Sequence, residues 1–270
     1  MIRTWKITKT KADAVRFEDE SSLDAITRQL PDGFYSTFRT YDSCTRVIGL
    51  TAHLRRLPDA DASSLRRGLL LLLEPYRPGE ARARVMQTKS RQFYISIEPL
   101  YVFPPEMYTN GVHAETTTLE RYDPRVKSTA FITASERERK RIAQAGIHEA
   151  LLLKKGRILE GMTSNFFFVL DGRLYTARRG ILLGVTRTMV IRTARGRGVE
   201  VRYRALQLDQ LPAVDEAFIT SSSRGVMPVI QIDHSVVGQG RVGGTTKMLK
   251  SAYETYVLTH AEEIALPQKF

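Results

Sequence analysis

Apolar side chains alternate with polar ones in several short runs of this chain, the spacing of strands with one buried face. Arg82 to Thr88, Gln92 to Ile97 and Val199 to Ala205 show it, and Trp5 to Thr8 reads as a shorter strand. Phe34 to Tyr41 is a strand by its aromatic and β-branched content, with Tyr35, Thr37 and Arg39 on one face. Ala150 to Leu153, Phe166 to Leu170 and Ala217 to Thr220 are continuously apolar, as in strands covered on both sides. Arg46 to Leu50, Val112 to Leu119 and Val226 to Ile232 complete the predicted strands. Helices are predicted where a capping residue precedes a helical pattern: Ser21 or Ser22 before Leu23 to Leu30, Thr51 before Ala52 to Leu57, Ser63 and Ser64 before Leu72, Ser135 before Glu136 to Ala145. Gly184-Val185-Thr186 opens another through Arg195, and Thr245-Thr246 the last, through Val257. Strands come in runs with helices inserted, which predicts an α+β fold. The irregular polar segment Arg121–Arg125 predicts a boundary between a domain of residues 1–120 and one of residues 121–270.

Ile158 to Thr176 carries the densest pattern. Glu160 closes one apolar run, the polar turn Gly161 to Asn165 follows, Phe166 opens the next run, and Asp171-Gly172 is a hairpin signal. A carboxylate with hydroxyl and amide groups thus stands at the mouth of a buried sheet. That suits a polar ligand, but on pattern alone an ordinary turn between core strands is the favoured reading, since most such turns carry no chemistry.

Composition narrows the classes. The 270 residues give room for two modest domains, and 42% hydrophobic with 26% charged residues is ordinary for a globular chain. No apolar run approaches a membrane span or a leader. The single cysteine, Cys44, excludes an intrachain disulfide and a multi-cysteine metal site, and fits a reducing cytoplasm. The net charge of +12 raises nucleic acid as a partner. No helix-turn-helix, zinc knuckle or stacked-aromatic pattern accompanies it, so anionic small molecules are the expected ligands, with no nucleic acid, membrane or metal. Neither a GxGxxG turn after a strand nor a Walker loop occurs. Candidate anion groups are the helix start at Val185 and Thr186, the serines Ser221, Ser222 and Ser223 after a buried strand, and Arg56. Nothing local singles out Lys127 among the lysines.

Several segments, in order, resemble the fold-type IV pyridoxal-phosphate enzymes: branched-chain aminotransferases, D-amino-acid aminotransferases and aminodeoxychorismate lyases. They are HLRRL from His53, VKS around Lys127, AQAGIHEALLL from Ala143, EGMTSNFFFV from Glu160, GVTR from Gly184, FITSSSRGVMPV from Phe218 and GRVGGTTK from Gly240. The resemblance implies a two-domain enzyme, with a smaller N-terminal α/β domain and a larger C-terminal domain around a mixed, barrel-like sheet, assembled as a homodimer. It implies pyridoxal 5'-phosphate and transfer of an amino group between an amino acid and a 2-oxo acid. Release of pyruvate by a lyase is the alternative chemistry, and a non-catalytic basic binding protein the alternative without chemistry. On the same resemblance Lys127 forms the aldimine and moves the proton at the substrate Cα. Glu160 pairs with the pyridine nitrogen, Arg56, Val185, Thr186, Ser221 and Ser222 hold the phosphate, and Ser164 and Asn165 line the cofactor-side turn. Tyr35, Lys89 and Ser223 face the substrate. Two positions depart from the family: Ser36 replaces a glutamate, and Lys89 stands where D-amino-acid aminotransferases carry an arginine.

Overall fold

The computed structural model describes residues 1–8 and 11–265, which gather into two compact units. The first takes Met1–Val102, Val126–Ala134 and the chain from Val257; the second takes Phe103–Arg125 and Ser135–Tyr256. Spatial grouping therefore cuts the chain four times, whereas the boundary expected at residue 120 would cut it once.

The N-terminal unit contains strands β1 (Arg3–Ile7), β2 (Ala12–Val15), β3 (Gly33–Arg39), β4 (Arg46–Ile48), β5 (Ala81–Thr88) and β6 (Phe93–Pro99). Its helices are α1 (Leu23–Arg28), α2 (Leu50–Leu54) and α3 (Ala62–Leu73). Five strands form an antiparallel sheet in the order β2-β1-β6-β5-β3. Strand alternation sorts the two faces: Ala81, Ala83 and Val85 pack with Phe38, Leu54 and the Leu65–Leu69–Leu73 stripe of α3, while Tyr35, Met86 and Tyr94 form a second cluster. Ser22 caps α1 as predicted, its hydroxyl accepting from the Ala25 amide at 3.0 Å. The other predicted caps shift. Gly49, at φ 65°, precedes α2, and the Thr51 hydroxyl instead donates to Glu262 at 2.5 Å. Asp61 caps α3 in place of the serines. β2 escaped the sequence pattern because it lies on an edge and is mostly exposed, with no apolar face to read.

The chain enters the second unit through α4 (Pro105–Asn110) and β7 (Val112–Thr117), then returns to the first for Val126–Ala134, which contains α5 (Ala130–Ala134). The rest of the second unit runs through α6 (Glu136–Gln144), β8 (Glu149–Lys154), β9 (Arg157–Gly161), β10 (Asn165–Leu170), β11 (Arg173–Thr176), α7 (Val185–Gly196), β12 (Val201–Tyr203), β13 (Leu206–Gln207), β14 (Glu216–Ser221), β15 (Gly225–Ile232), β16 (Ser235–Val236) and into α8 (Gly244–His260). After α8, β17 (Ala261–Glu263) pairs with β4, and Ile264 joins the N-terminal core.

The second sheet has ten strands in the order β12-β11-β10-β14-β15-β7-β8-β9-β13, with β16 beside β15. It mixes parallel pairs (β11·β12, β15·β7, β7·β8) with antiparallel ones. β9 and β10 lie five places apart in that order, which would separate them by about 24 Å in a flat sheet. The three residues joining them span at most about 14 Å. The sheet is therefore curled into a half-barrel, and β9 returns beside β10. Phe166, Phe168, Leu151, Ile219 and Met227 fill the core of this unit. Asp171 and Gly172 both take positive φ, as a tight hairpin between β10 and β11 requires. Among the described residues no helix is long and apolar enough to cross a membrane.

Candidate active site

In the C-terminal unit β9 carries Glu160 next to its last residue, with a side chain 1% exposed. A buried carboxylate is costly unless donors surround it. Here Arg121 Nε donates to Oε1 at 3.0 Å, and Asn165 Nδ2 and the Leu182 amide donate to Oε2 at 3.2 and 2.9 Å. Arg121 Nη2 fixes the guanidinium on the Met162 carbonyl at 3.1 Å. Asn165 also donates to the Leu182 carbonyl at 2.7 Å. It thereby ties the segment leading into α7 to the carboxylate. Gly184 makes this approach feasible, since a Cβ there would stand 2.1 Å from Asn165 Oδ1.

α7 follows at once. Its N-cap Gly184 is extended and offers no side-chain cap, so the first amides of a 12-residue helix keep their donor capacity and its dipole favours an anion. Val185 and Thr186 are buried in the first turn. The Thr186 hydroxyl oxygen is buried without a hydrogen-bond partner among the described residues. Buried hydroxyls are normally satisfied, and this one, at a helix start with free amides beside it, is open to a polar ligand. Ser221, Ser222 and Ser223 lie where β14 turns into β15. Ser221 is already engaged, its oxygen accepting from Arg224 Nε at 3.1 Å.

The N-terminal unit positions Lys127 by backbone pairing. The Tyr35 amide donates to the Lys127 carbonyl at 3.0 Å, and the Thr129 amide to the Gly33 carbonyl at 2.9 Å, so residues 127–129 extend the edge of β3. Lys127 Nζ lies 4.7 Å from the centroid of the Tyr35 ring, and the Arg84 guanidinium carbon also lies 4.7 Å from it. Arg84 is itself anchored by Asp24 Oδ1 at 2.7 Å. His53 is buried, and its Nδ1 pairs with Ser36 Oγ at 2.8 Å. Burial, then the charges of Arg56 and Lys127, push the His53 pKa well below its usual value. Ser36 thus meets a neutral imidazole, a partner that suits a hydroxyl. Lys89 stands apart from this group, with a side chain 73% exposed and an ion pair to Asp32 at 3.5 Å.

A profile of the family described as "Amino-transferase class IV" matches residues 33–232. The chain belongs to this family. It is an enzyme of the aminotransferase class, which removes the expectation of a non-catalytic binding protein. A Methanocaldococcus jannaschii protein assigned to the branched-chain-amino-acid aminotransferases is 36% identical over 255 residues, 83% of this chain and 86% of that protein. The D-alanine aminotransferase of Bacillus licheniformis is 28% identical over 255 residues, covering 86% of this chain and 89% of the relative. Among solved structures, a Thermotoga maritima protein assigned to the branched-chain amino acid aminotransferases shares the fold at TM-score 0.79 and 26% identity, over 95% of this chain and 96% of that one.

Three residues of this class IV amino-transferase that bond to predicted site residues carry no sequence signal strong enough to find them: Arg121 on Glu160, Glu149 under Ser164 and Arg224 on Ser221. Arg121 lies in the segment read as a domain boundary. Glu149 heads an apolar strand, and nothing in the pattern around it marks a role. Arg224 follows three serines and looks like any loop arginine. Among the described residues no group of three or more His, Cys, Asp or Glu is arranged to hold a metal ion.

Proposed function

We propose that this class IV amino-transferase uses pyridoxal 5'-phosphate to move an amino group between an amino acid and a 2-oxo acid. The observation that carries the reading is the presence, in one unit, of the buried Glu160 carboxylate and of the unpartnered Thr186 hydroxyl at the start of α7, joined through Leu182. A phosphorylated pyridine needs both kinds of group: an acceptor for its ring N–H and donors for its phosphate. When bound, the cofactor supplies an aldehyde for the amino group and a ring that draws electrons from the substrate Cα. Glu160 accepts from the ring nitrogen, with Arg121 and Asn165 keeping its oxygens in place. The amides of Val185 and Thr186, the Thr186 hydroxyl, Ser221 and Ser222 are the proposed phosphate donors of the C-terminal unit, and Arg56 that of the N-terminal unit. Lys127 is the proposed base that moves the proton at the substrate Cα. Tyr35 and Lys89 of the N-terminal unit and Ser223 of the C-terminal unit are the proposed substrate-facing residues.

The Methanocaldococcus jannaschii and Bacillus licheniformis relatives are both named as aminotransferases, which favours amino transfer over pyruvate release. The test is a half-reaction: purified protein loaded with cofactor is given L- and D-amino acids singly, and conversion to the pyridoxamine form is followed by absorbance. Conversion by an amino donor alone is expected. Repeated release of pyruvate from aminodeoxychorismate without a 2-oxo acceptor, beyond one equivalent per cofactor, would instead identify a lyase. Lys127→Ala is expected to reduce turnover at least a thousandfold, about the upper range for losing a general base; near-wild-type turnover would remove Lys127 from the role. A homodimer, proposed on the family resemblance, is checked by sedimentation equilibrium. A cytoplasmic setting is proposed on the buried, free thiol of Cys44.

A further inference from the structure

Two loops that bear site residues share one end of the C-terminal sheet. The register sets Asn165 opposite Thr220, and Ser221 opposite Gly225. The turn entering β10 and the hairpin leaving β14 therefore lie side by side, beyond the last backbone pair between those strands. Side chains must hold them there, and a buried ion pair does so. Arg224 Nε donates to Ser221 Oγ at 3.1 Å, while Nη2 donates to Glu149 Oε2 at 3.0 Å and also to Thr163 Oγ1. Glu149 Oε2 further accepts from the Thr163 hydroxyl at 2.6 Å, the Ser164 hydroxyl at 2.8 Å and the Thr163 amide at 3.3 Å. One guanidinium thus spans both loops, and one carboxylate fastens them to the first residue of β8. Gly161 is shaped by the same contacts: a Cβ there would stand 2.2 Å from Ser164 Oγ and 2.9 Å from Glu149 Cγ.

We propose that Glu149 and Arg224 are positioning residues, a clamp that sets the spacing between the Thr163–Asn165 turn and the Ser221–Ser223 loop and thereby the fit of the site to its phosphorylated cofactor. The inference rests on the cofactor reading above. Their side chains are 1% and 10% exposed. A buried ion pair is a poor source of net stability, because desolvation offsets most of the attraction. Orientation is what this one adds. The forked guanidinium addresses two loops at fixed angles, which a single ammonium cannot do. The clamp also sets two hydroxyls: Ser164 donates its own to Glu149, while the Ser221 oxygen accepts from Arg224 and keeps its O–H to donate. Asn165 then reaches Glu160 and Leu182, and Ser222 is held at the loop tip.

The test compares wild type with Arg224→Lys, Arg224→Met and Glu149→Gln. The dissociation constant for pyridoxal 5'-phosphate is measured by equilibrium dialysis, and the melting temperature of each apoprotein is recorded alongside. Lysine keeps the charge opposite Glu149 but cannot reach Ser221 at the same time. Arg224→Lys is therefore expected to melt close to wild type yet bind the cofactor about tenfold more weakly, the scale of one lost charged hydrogen bond. Arg224→Met is expected to lose both stability and affinity. Wild-type affinity in Arg224→Lys, or affinity that falls only in step with melting temperature across the set, would overturn the clamp. Should Arg224→Lys fail to fold, the isosteric Glu149→Gln decides: weaker binding supports the clamp and unchanged binding rejects it. Failure of the wild type itself to bind pyridoxal 5'-phosphate would reject the cofactor reading, an outcome distinct from losses confined to the variants.

Discussion

Glu160 shows how much a single residue depends on what surrounds it. Its carboxylate satisfies donors from Arg121, Asn165 and the Leu182 amide, and a carboxylate can do this because it only accepts. Glu160→Gln would place an amide donor against at least one of them. We expect it to slow substrate Cα–H exchange in deuterated water by about a hundredfold, the scale of one preorganised electrostatic group. Exchange at the wild-type rate would exclude Glu160 from the reacting centre. The sequence made this residue legible because it interrupts two apolar runs within a family motif. Arg121 and Glu149 were not legible. Their partners lie 39 and 75 positions away in Glu160 and Arg224, and no local pattern encodes such a pairing.

At the scale of elements, strands with a clear apolar face were readable and their ends were not. β3, β5 and β6 follow from alternation, and β8 through β11 from apolar runs broken by polar turns. α2 begins earlier than its expected cap because Gly49 adopts the left-handed conformation and Thr51 turns to Glu262, a residue 211 positions away. Close approach makes the start of β3 equally specific. A Cβ at Gly33 would stand 2.0 Å from the Gln87 carbonyl oxygen. Gly33→Ala is therefore expected to destabilise the protein by more than about 2 kcal/mol, since the obstacle is backbone that cannot step aside. Gly172→Ala meets nothing within 4 Å but must hold φ +69°, so its cost is about 1 kcal/mol. Urea melts of the two variants check the order, and a larger loss at Gly172 would contradict it.

The whole molecule carries an acid sensitivity whose sign follows from its buried groups. Burial first, then Arg56 and Lys127, keep His53 neutral in the folded chain below its ordinary pKa of 6.5. The unfolded chain takes up that proton and the folded chain does not. Stability therefore falls as the pH drops below 6.5, by up to about 1.4 kcal/mol per pH unit. His148, lowered to about 4 chiefly by burial and then by Arg224, acts in the same direction between 6.5 and 4. For Glu149, burial raises the pKa, but Arg224 and the hydroxyls of Thr163 and Ser164 outweigh it and hold the group below 4.5. Its contribution is present above 4.5 and is lost as the pH falls further. Urea melts from about pH 7.5 to 4 should show a steady loss, with a shallower slope in His53→Gln; an identical slope would mean that His53 titrates alike in both states.

The return of the chain from Val257 has a consequence for synthesis. β4 waits for β17, more than 200 residues later in the chain, and the N-terminal core waits for Ile264. On the ribosome, the first hundred residues emerge with their sheet strands complete but with one edge of their core open. A nascent chain stalled before residue 257 would expose the Val47 and Leu50 side of that core, a surface for chaperones to cover until the last turn of α8 has been made.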